Sequence, residues 1–157
     1  MSGECAICPI LETKNDGQDV VVLETQYWRA SLAADQRSLG RMFVTLLEHK
    51  ESLSELSEAE FSDLQFVVKA LEGSLKKTYQ PTHFNWSCLM NNAVRDGQPT
   101  HVHWHVHPRY DREVIVNGET FIDGNDDKTP HHASLETLET IQSEIVSNIS
   151  GKANRTP

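Results

Sequence analysis

The chain has 157 residues, of which 38% are hydrophobic, the size and composition of one globular domain rather than of a disordered segment. Its formal net charge of −9 repels a phosphate backbone, so duplex DNA or RNA is a poor candidate partner. No apolar run is long enough to cross a bilayer, and no secretory signal is recognisable. Three cysteines do not make a disulfide framework. These features favour a cytoplasmic protein with no membrane partner.

The predicted elements begin with a leader and three strands. Residues 1–19 have the composition of a loop or knuckle, and this segment carries two of the cysteines. Apolar and β-branched residues predict strands over 20–23, 28–32 and 42–47. The third strand is almost continuously apolar, which predicts a sheet that is covered on both faces.

The clearest helix follows Ser57. Ser57 and Glu60 have the spacing of a capping box, in which each side chain satisfies the other residue's amide. Apolar residues recur every three or four positions from Phe61 to Leu75, which predicts one stripe against the core and leaves Glu60 facing water. Pro81 is expected to end the helix.

The second half of the chain alternates strands and turns before a last helix. The predicted elements are a strand over 84–90, a polar loop over 91–99, a strand over 101–107, a hairpin of 114–116 and 119–122, and an amphipathic helix from Leu135 to Ile149. Asn117-Gly118 accepts the positive φ angles of a tight hairpin turn. We therefore expect a single α+β domain over 1–150, a mainly antiparallel sheet with packed helices, followed by a flexible tail over 151–157.

Four of the eight histidines form a row that alternates with apolar residues, at positions 101, 103, 105 and 107. Alternate side chains of a strand point to opposite faces, so the four imidazoles are expected to share one face. Strands are seldom polar through histidine, which makes a merely solvated edge the weaker interpretation. Imidazoles can instead bind a metal, attack phosphorus or donate to anionic oxygens.

A second cluster predicts a metal site. Cys5 and Cys8 have the two-residue gap of a zinc knuckle, although two ordinary reduced thiols are an alternative. His49 and His101 are the available further ligands, and together the four make a Cys₂His₂ set. Such a closed shell leaves no position for water, so the zinc would be structural.

The run from His101 to His107 resembles the histidine triad, or HIT, superfamily of nucleotide hydrolases and transferases, whose motif is His-φ-His-φ-His-φ-φ with φ hydrophobic. The resemblance extends over about residues 4–112. Within the superfamily, the chain resembles the dinucleoside polyphosphate hydrolases. Cys5, Cys8 and His49 resemble the zinc-bearing branch of that superfamily.

The resemblance implies a HIT-like fold, a homodimer and a mechanism. His103 would attack the α-phosphorus of a dinucleoside polyphosphate or nucleoside phosphoramidate and form a nucleotidyl-histidine intermediate, which water or another acceptor resolves. His105 would donate to the phosphate or the leaving oxygen. Further phosphate contacts are implied for Arg41, Asn91 (with Asn92 an equally close match), Gln98 and Thr100.

Two positions depart from the family pattern. Many members have a fourth histidine where Arg41 stands, and a hydrophobic residue where His107 stands. Arginine can clamp a phosphate, so substrate binding would survive the first change. Asp35 is a further candidate to hold ribose hydroxyls.

Two other functions compete with a nucleotidyl-histidine enzyme. The histidine row could hold a catalytic metal, but the outer imidazoles of residues 101, 103 and 105 on one regular strand lie roughly 13 Å apart, too far for one ion. The chain could also be a non-catalytic nucleotide-binding module stabilised by zinc, which the complete triad disfavours.

Overall fold

A computed structural model describes residues 4–12, 20–123 and 129–150. The helices are α1 (Cys8–Glu12), α2 (Glu58–Thr78), α3 (Asn91–Arg95) and α4 (Leu135–Ser147), with a short 3₁₀ turn at Leu53–Glu55. The strands are β1 (Val20–Glu24), β2 (Trp28–Leu32), β3 (Met42–Leu46), β4 (His83–Ser87), β5 (His103–Arg109), β6 (Val114–Val116) and β7 (Glu119–Phe121). The predicted tail over 151–157 lies outside the described residues.

Five strands form one antiparallel sheet in the order β1-β2-β3-β5-β4, and β6 pairs with β7 in a separate hairpin. The α+β prediction with a mainly antiparallel sheet is therefore confirmed. In the hairpin turn, Asn117 and Gly118 have φ angles of +49° and +77°, which confirms the predicted turn. None of the described helices is long and apolar enough to cross a membrane.

The two faces of the sheet have different surroundings. One face is the core, where fully buried side chains include Trp28, Met42, Val44, Leu46 and Val106. The opposite face carries Phe43 and Thr45 of β3, which are only half-buried. The prediction that β3 is covered on both faces is therefore wrong. An aromatic and a β-branched residue look apolar in the sequence, but here they line a cavity.

Helix α2 begins with the predicted capping box. The Ser57 hydroxyl oxygen accepts from the Glu60 N–H at 3.3 Å, and the Glu60 carboxylate accepts from the Ser57 N–H at 2.6 Å. Glu60 is nevertheless buried, not solvated as predicted, because Lys50 neutralises it at 2.6 Å. Phe61, predicted in the core, is 46% exposed, and the helix ends at Thr78, three residues before the proline.

Around the histidine row the structure also differs from the predicted boundaries. The loop over 91–99 contains the short helix α3, and β5 begins at His103 rather than at His101. Val102 still pairs with neighbouring backbone, since its N–H donates to the Lys50 carbonyl at 2.9 Å and its carbonyl accepts from Leu46 at 3.1 Å. The chain from His101 into β5 is thus held beside the end of β3.

Candidate active site and metal centre

A cavity of about 650 Å³ lies over the half-buried face of the sheet. Its floor includes Phe43, Thr45, His103 and His105, which share this face by the pairing of β3 with β5. One wall is the leader, with the apolar side chains of Ile7, Ile10 and Leu11. The other wall is the segment over 89–98, which connects β4 to the histidine row. The cavity is thus apolar along the leader wall, partly polar along the other wall through Asn91, Asn92 and Gln98, and carries imidazoles on its floor.

His103 is held in one tautomer. Its Nδ1 lies 2.7 Å from the His101 carbonyl oxygen, which can only accept, so Nδ1 carries the proton and Nε2 keeps its lone pair. That Nε2 lies 3.2 Å from the Nε2 of His105, and both rings line the cavity. An imidazole held in this tautomer can act as a nucleophile through Nε2, and a second imidazole lies directly beside that nitrogen.

His105 is neutral at neutral pH. Burial, and after it the neighbouring His103, Arg41 and His107, together lower the pKa of His105 to about 4, against a hydrogen bond to the Leu89 backbone. Its ring packs edge-on against Phe43, with the ring centroids 4.9 Å apart. A phosphoryl oxygen can only accept, so His105 would hydrogen-bond a phosphate through a ring nitrogen that carries a proton.

The four predicted metal ligands converge on one point. The Nδ1 atoms of His49 and His101 are 3.3 Å apart, and the Sγ of Cys8 lies 3.3 Å and 3.6 Å from them. The Sγ of Cys5 lies 3.5 Å from the Nδ1 of His101, and all four donor atoms are within 4.8 Å of one another. Tetrahedral zinc separates two nitrogens by about 3.3 Å and nitrogen from sulfur by about 3.6 Å. The donor set and its spacing fit zinc.

The backbone also orients His101. Its Nε2 lies 2.8 Å from the Leu46 carbonyl, so Nε2 carries the proton and Nδ1 faces the cysteines. Among the described residues, the group of donors close enough to hold one ion is this tetrad, which does not include His103 or His105. The catalytic-metal hypothesis, in which the histidine row binds the ion, has no convergent donors to support it there.

The other predicted site residues are divided between the cavity and its surroundings. Asn91 and Gln98 line the cavity, as does Asn92. Thr100 does not line it, and its hydroxyl donates to the Glu51 carbonyl at 2.8 Å. Arg41 lies on the same face of the sheet beyond the cavity, with its guanidinium carbon 5.7 Å from the centroid of the Phe43 ring.

The carboxylate of Asp35 is engaged by protein groups. Arg37 and Arg41 contact the same oxygen of Asp35 at 2.6 Å and 2.7 Å, and the His131 N–H donates to the other at 3.0 Å. Asp35 does not line the cavity, so nothing here supports its predicted contact with ribose.

The sequence interpretation missed Arg29 and the apolar wall of the leader. Arg29 is buried, lines the cavity and pairs with Glu24 at 2.7 Å. In the register of the sheet, Arg29 lies opposite Thr45. The alternation of β2 and β3 could have placed Arg29 on the face of the site, because every second residue of paired strands shares a face. No comparable periodicity marks the leader.

Comparisons with known proteins identify the family of this chain. A family model described as HIT domain matches residues 14–112. An uncharacterized HIT-like protein of Methanocaldococcus jannaschii is 30% identical over 119 residues, which cover 73% of this chain and 88% of the relative. The chain belongs to the HIT family. The match begins after Cys5 and Cys8, so it does not include the cysteines of the metal cluster.

Solved structures share the fold. A hypothetical histidine triad nucleotide-binding protein of Sulfolobus tokodaii is 22% identical with a TM-score of 0.66, covering 92% of this chain and 91% of that one. A Zn-bound histidine triad family protein of Mycobacterium smegmatis is 14% identical with a TM-score of 0.63, covering 91% and 94%. The diadenosine triphosphate hydrolase of Plasmodium falciparum is 19% identical with a TM-score of 0.59, covering 85% and 77%.

Proposed function

We propose that this protein is a nucleotide hydrolase or nucleotidyl transferase that acts at an α-phosphate through a nucleotidyl-His103 intermediate. One observation carries the proposal. His103 presents an unprotonated Nε2 to a cavity, with Nδ1 fixed on a backbone carbonyl and the Nε2 of a second imidazole 3.2 Å away. Membership of the HIT family and the shared fold with a diadenosine triphosphate hydrolase support it.

The reaction has two displacements at phosphorus. The lone pair of His103 Nε2 attacks the α-phosphorus, the N–P bond forms, and the bond from phosphorus to the leaving oxygen or nitrogen breaks. The imidazole ring becomes cationic, with its Nδ1–H already donating to the His101 carbonyl. The oxygen of water or of another acceptor then attacks the same phosphorus and loses its proton to solvent, while the N–P bond breaks and its electron pair returns to His103 Nε2. A neutral imidazole suits this work because it approaches a polyanion without repulsion from like charge.

The remaining site residues act on binding and position. His105 would contact the phosphoryl oxygens beside His103, and Asn91 and Gln98 would contact the phosphate from the cavity wall. Arg41 and Thr100 stay predictions as substrate contacts, and Thr100 would have to leave its present acceptor. Zinc on Cys5, Cys8, His49 and His101 would be structural: it would fix the leader to the chain that carries His103.

Substitution of the nucleophile tests the proposal. We expect His103→Ala to lower kcat for diadenosine triphosphate at least about 1,000-fold, because no other group forms the covalent bond. Zinc content and melting temperature should stay unchanged, since His103 is not a metal ligand. His83→Ala is the matched control, because His83 is an exposed histidine on the edge strand β4. Loss of zinc with His103 would favour the catalytic-metal hypothesis instead.

The intermediate gives a second readout. Brief exposure of the active protein to the nucleotide, followed by acid-free mass spectrometry, should show the nucleotidyl group on the peptide that contains His103. An active preparation that never shows this adduct would refute covalent catalysis. A protein that binds nucleotide without any turnover would be the non-catalytic binding module.

A further inference from the structure

The polar face of the sheet continues past the cavity. Alternation along β5 places His107 and then Arg109 on the same face as His105. Because Phe43 lies opposite His105 in the register, Arg41 enters β3 next to His107. A second group of basic side chains thus adjoins the end of the histidine row that is farther from the metal cluster.

Arg41 has unused hydrogen-bonding capacity there. Its Nη1 donates to the Asp35 carboxylate at 2.7 Å, but its Nε is buried and has no acceptor among the described residues. A buried N–H without an acceptor is costly, and a charged donor more so. The one carboxylate that contacts Arg41 is also shared with Arg37. An anion placed beside Arg41 would satisfy the orphaned donor.

The direction of attack points the leaving group towards Arg41. In a displacement at phosphorus, the attacking and leaving atoms lie roughly in line on opposite sides. His103 attacks from one side of a phosphate held at His105, and the row runs from His103 through His105 to His107. With a phosphate at His105 and the nucleoside in the cavity, a leaving group that continues along the row would meet Arg41 and His107.

We propose that Arg41 and His107 form an anion subsite for the leaving group, so that the protein selects dinucleoside polyphosphates over nucleoside phosphoramidates. This inference rests on the proposed function and names its substrate class. His107 stands where the family pattern has a hydrophobic residue, so this subsite belongs to the chain's own sequence.

The two substrate classes have different leaving groups, a phosphate and an amine, and only the amine must be protonated before it leaves. A phosphate leaves as an anion when the P–O bond breaks and its electron pair goes to oxygen, and donors such as Arg41 stabilise that charge without a proton transfer. An amine leaves only after its nitrogen is protonated. His105 is a poor source of that proton at neutral pH, because its pKa lies near 4.

Two substrates with the same nucleotidyl group separate these cases. Diadenosine triphosphate and adenosine 5′-phosphoramidate both give adenylyl-His103, but the first loses ADP and the second loses ammonia. We expect wild-type kcat/KM to be at least about tenfold higher for diadenosine triphosphate. Arg41→Met should lower that value roughly 100-fold, and the loss in kcat/KM for the phosphoramidate should be at least about tenfold smaller. His107→Leu should lower kcat/KM for diadenosine triphosphate at least about tenfold, without a comparable loss for the phosphoramidate.

Each outcome decides the proposal. Equal losses for the two substrates would make Arg41 and His107 merely structural, and no loss for either would remove them from the site. If Arg41→Met fails to fold, the two substrates are compared with His107→Leu and with the charge-conserving Arg41→Lys. Arg41→Lys should keep part of the wild-type activity towards diadenosine triphosphate. If the wild type turns over neither substrate, the proposed function fails. Binding of inorganic pyrophosphate measured by calorimetry then tests the subsite, and equal affinity in wild type and Arg41→Met would overturn it.

Discussion

Neighbouring histidines of one row use opposite ring nitrogens. His101 gives its Nε2–H to the Leu46 carbonyl and turns Nδ1 to the metal cluster, whereas His103 gives its Nδ1–H to the His101 carbonyl and turns Nε2 to the cavity. Two backbone acceptors thereby leave Nδ1 of one imidazole for a metal and Nε2 of the next for a phosphorus atom. Because the acceptor for His103 is the carbonyl of a proposed metal ligand, the position of His103 would depend indirectly on the metal.

Asp35 should make stability depend on pH in acid. Burial raises the pKa of Asp35, but hydrogen bonds from Arg37 and His131 and the charge of Arg41 outweigh it and bring the pKa down from 3.8 to about 2. The folded state thus binds its proton more weakly than the unfolded chain. The resulting stability, about 2 kcal/mol, is present above about pH 4 and is lost as the pH falls to about 2.

We therefore expect Asp35→Asn to lower the free energy of unfolding by about 2 kcal/mol at pH 7 and by much less near pH 2.5. Urea unfolding at the two pH values measures the difference. Asp111→Asn, at an exposed aspartate, is the control and should change neither value appreciably. A difference that is as large in acid as at neutral pH would mean that Asp35 acts through packing and not through its charge.

At the scale of elements, one glycine that packs against α2 and one glycine within α2 have opposite effects on stability. Gly40 has a φ of +79°, and a Cβ there would lie 2.8 Å from Cδ2 of the buried Leu75, so Gly40 lets the turn into β3 approach the helix. Gly73 lies inside α2, and a Cβ there would meet nothing within 4 Å. We expect Gly40→Ala to destabilise the fold by about 1 to 3 kcal/mol. Gly73→Ala should stabilise it by about 1 kcal/mol through helix propensity.

Thermal and urea unfolding of the two variants measure these effects on the same helix. Each variant is the control for the other, since the substitution is identical and only the surroundings differ. A stable Gly40→Ala protein would show that the turn can move away from Leu75. A destabilised Gly73→Ala protein would show that the helix surface there is covered.

Regular elements could be predicted from the sequence because their signals are local. The strand at Trp28–Leu32 and the turn at Asn117-Gly118 follow from alternation and from backbone preference. The short helix Asn91–Arg95 does not, because its five residues include two asparagines that favour turns and it has no side-chain cap. The burial of Glu60 depends on its ion pair with Lys50, which lies before the helix and outside its periodic pattern.

The site could be predicted as far as its signals were periodic or closely spaced. The histidine row is periodic and the two cysteines of the leader are closely spaced, so both could be recognised in the sequence. The structure brings Cys5 and Cys8 together with His49 and His101. The surroundings of Arg41 could not be predicted. They depend on a contact between Asp35 and the backbone of His131, which lies 96 residues away.

In the whole molecule, the described part of the leader, residues 4–12, contacts the rest of the fold at the metal cluster. Helix α1 buries none of its residues, and Ile10 is 51% exposed, so core packing does not set its position. Its neighbours at the cluster are His49 and His101, and Arg29 reaches the Ile10 carbonyl at 3.5 Å. Since the same leader forms a wall of the cavity, the metal should support substrate binding as well as stability.

Removal of one ligand tests this dependence. We expect Cys8→Ala to reduce bound zinc, measured by mass spectrometry of the native protein, and to lower the melting temperature by at least about 5 °C, since metal binding is linked to folding. Affinity for AMP, measured by calorimetry, should fall at least about tenfold because the apolar wall is released. Cys88→Ala is the matched control, because that cysteine lies outside the cluster. Unchanged zinc in Cys8→Ala would refute the metal site. Lost zinc with unchanged AMP affinity would show that the leader keeps its place beside the cavity without the metal.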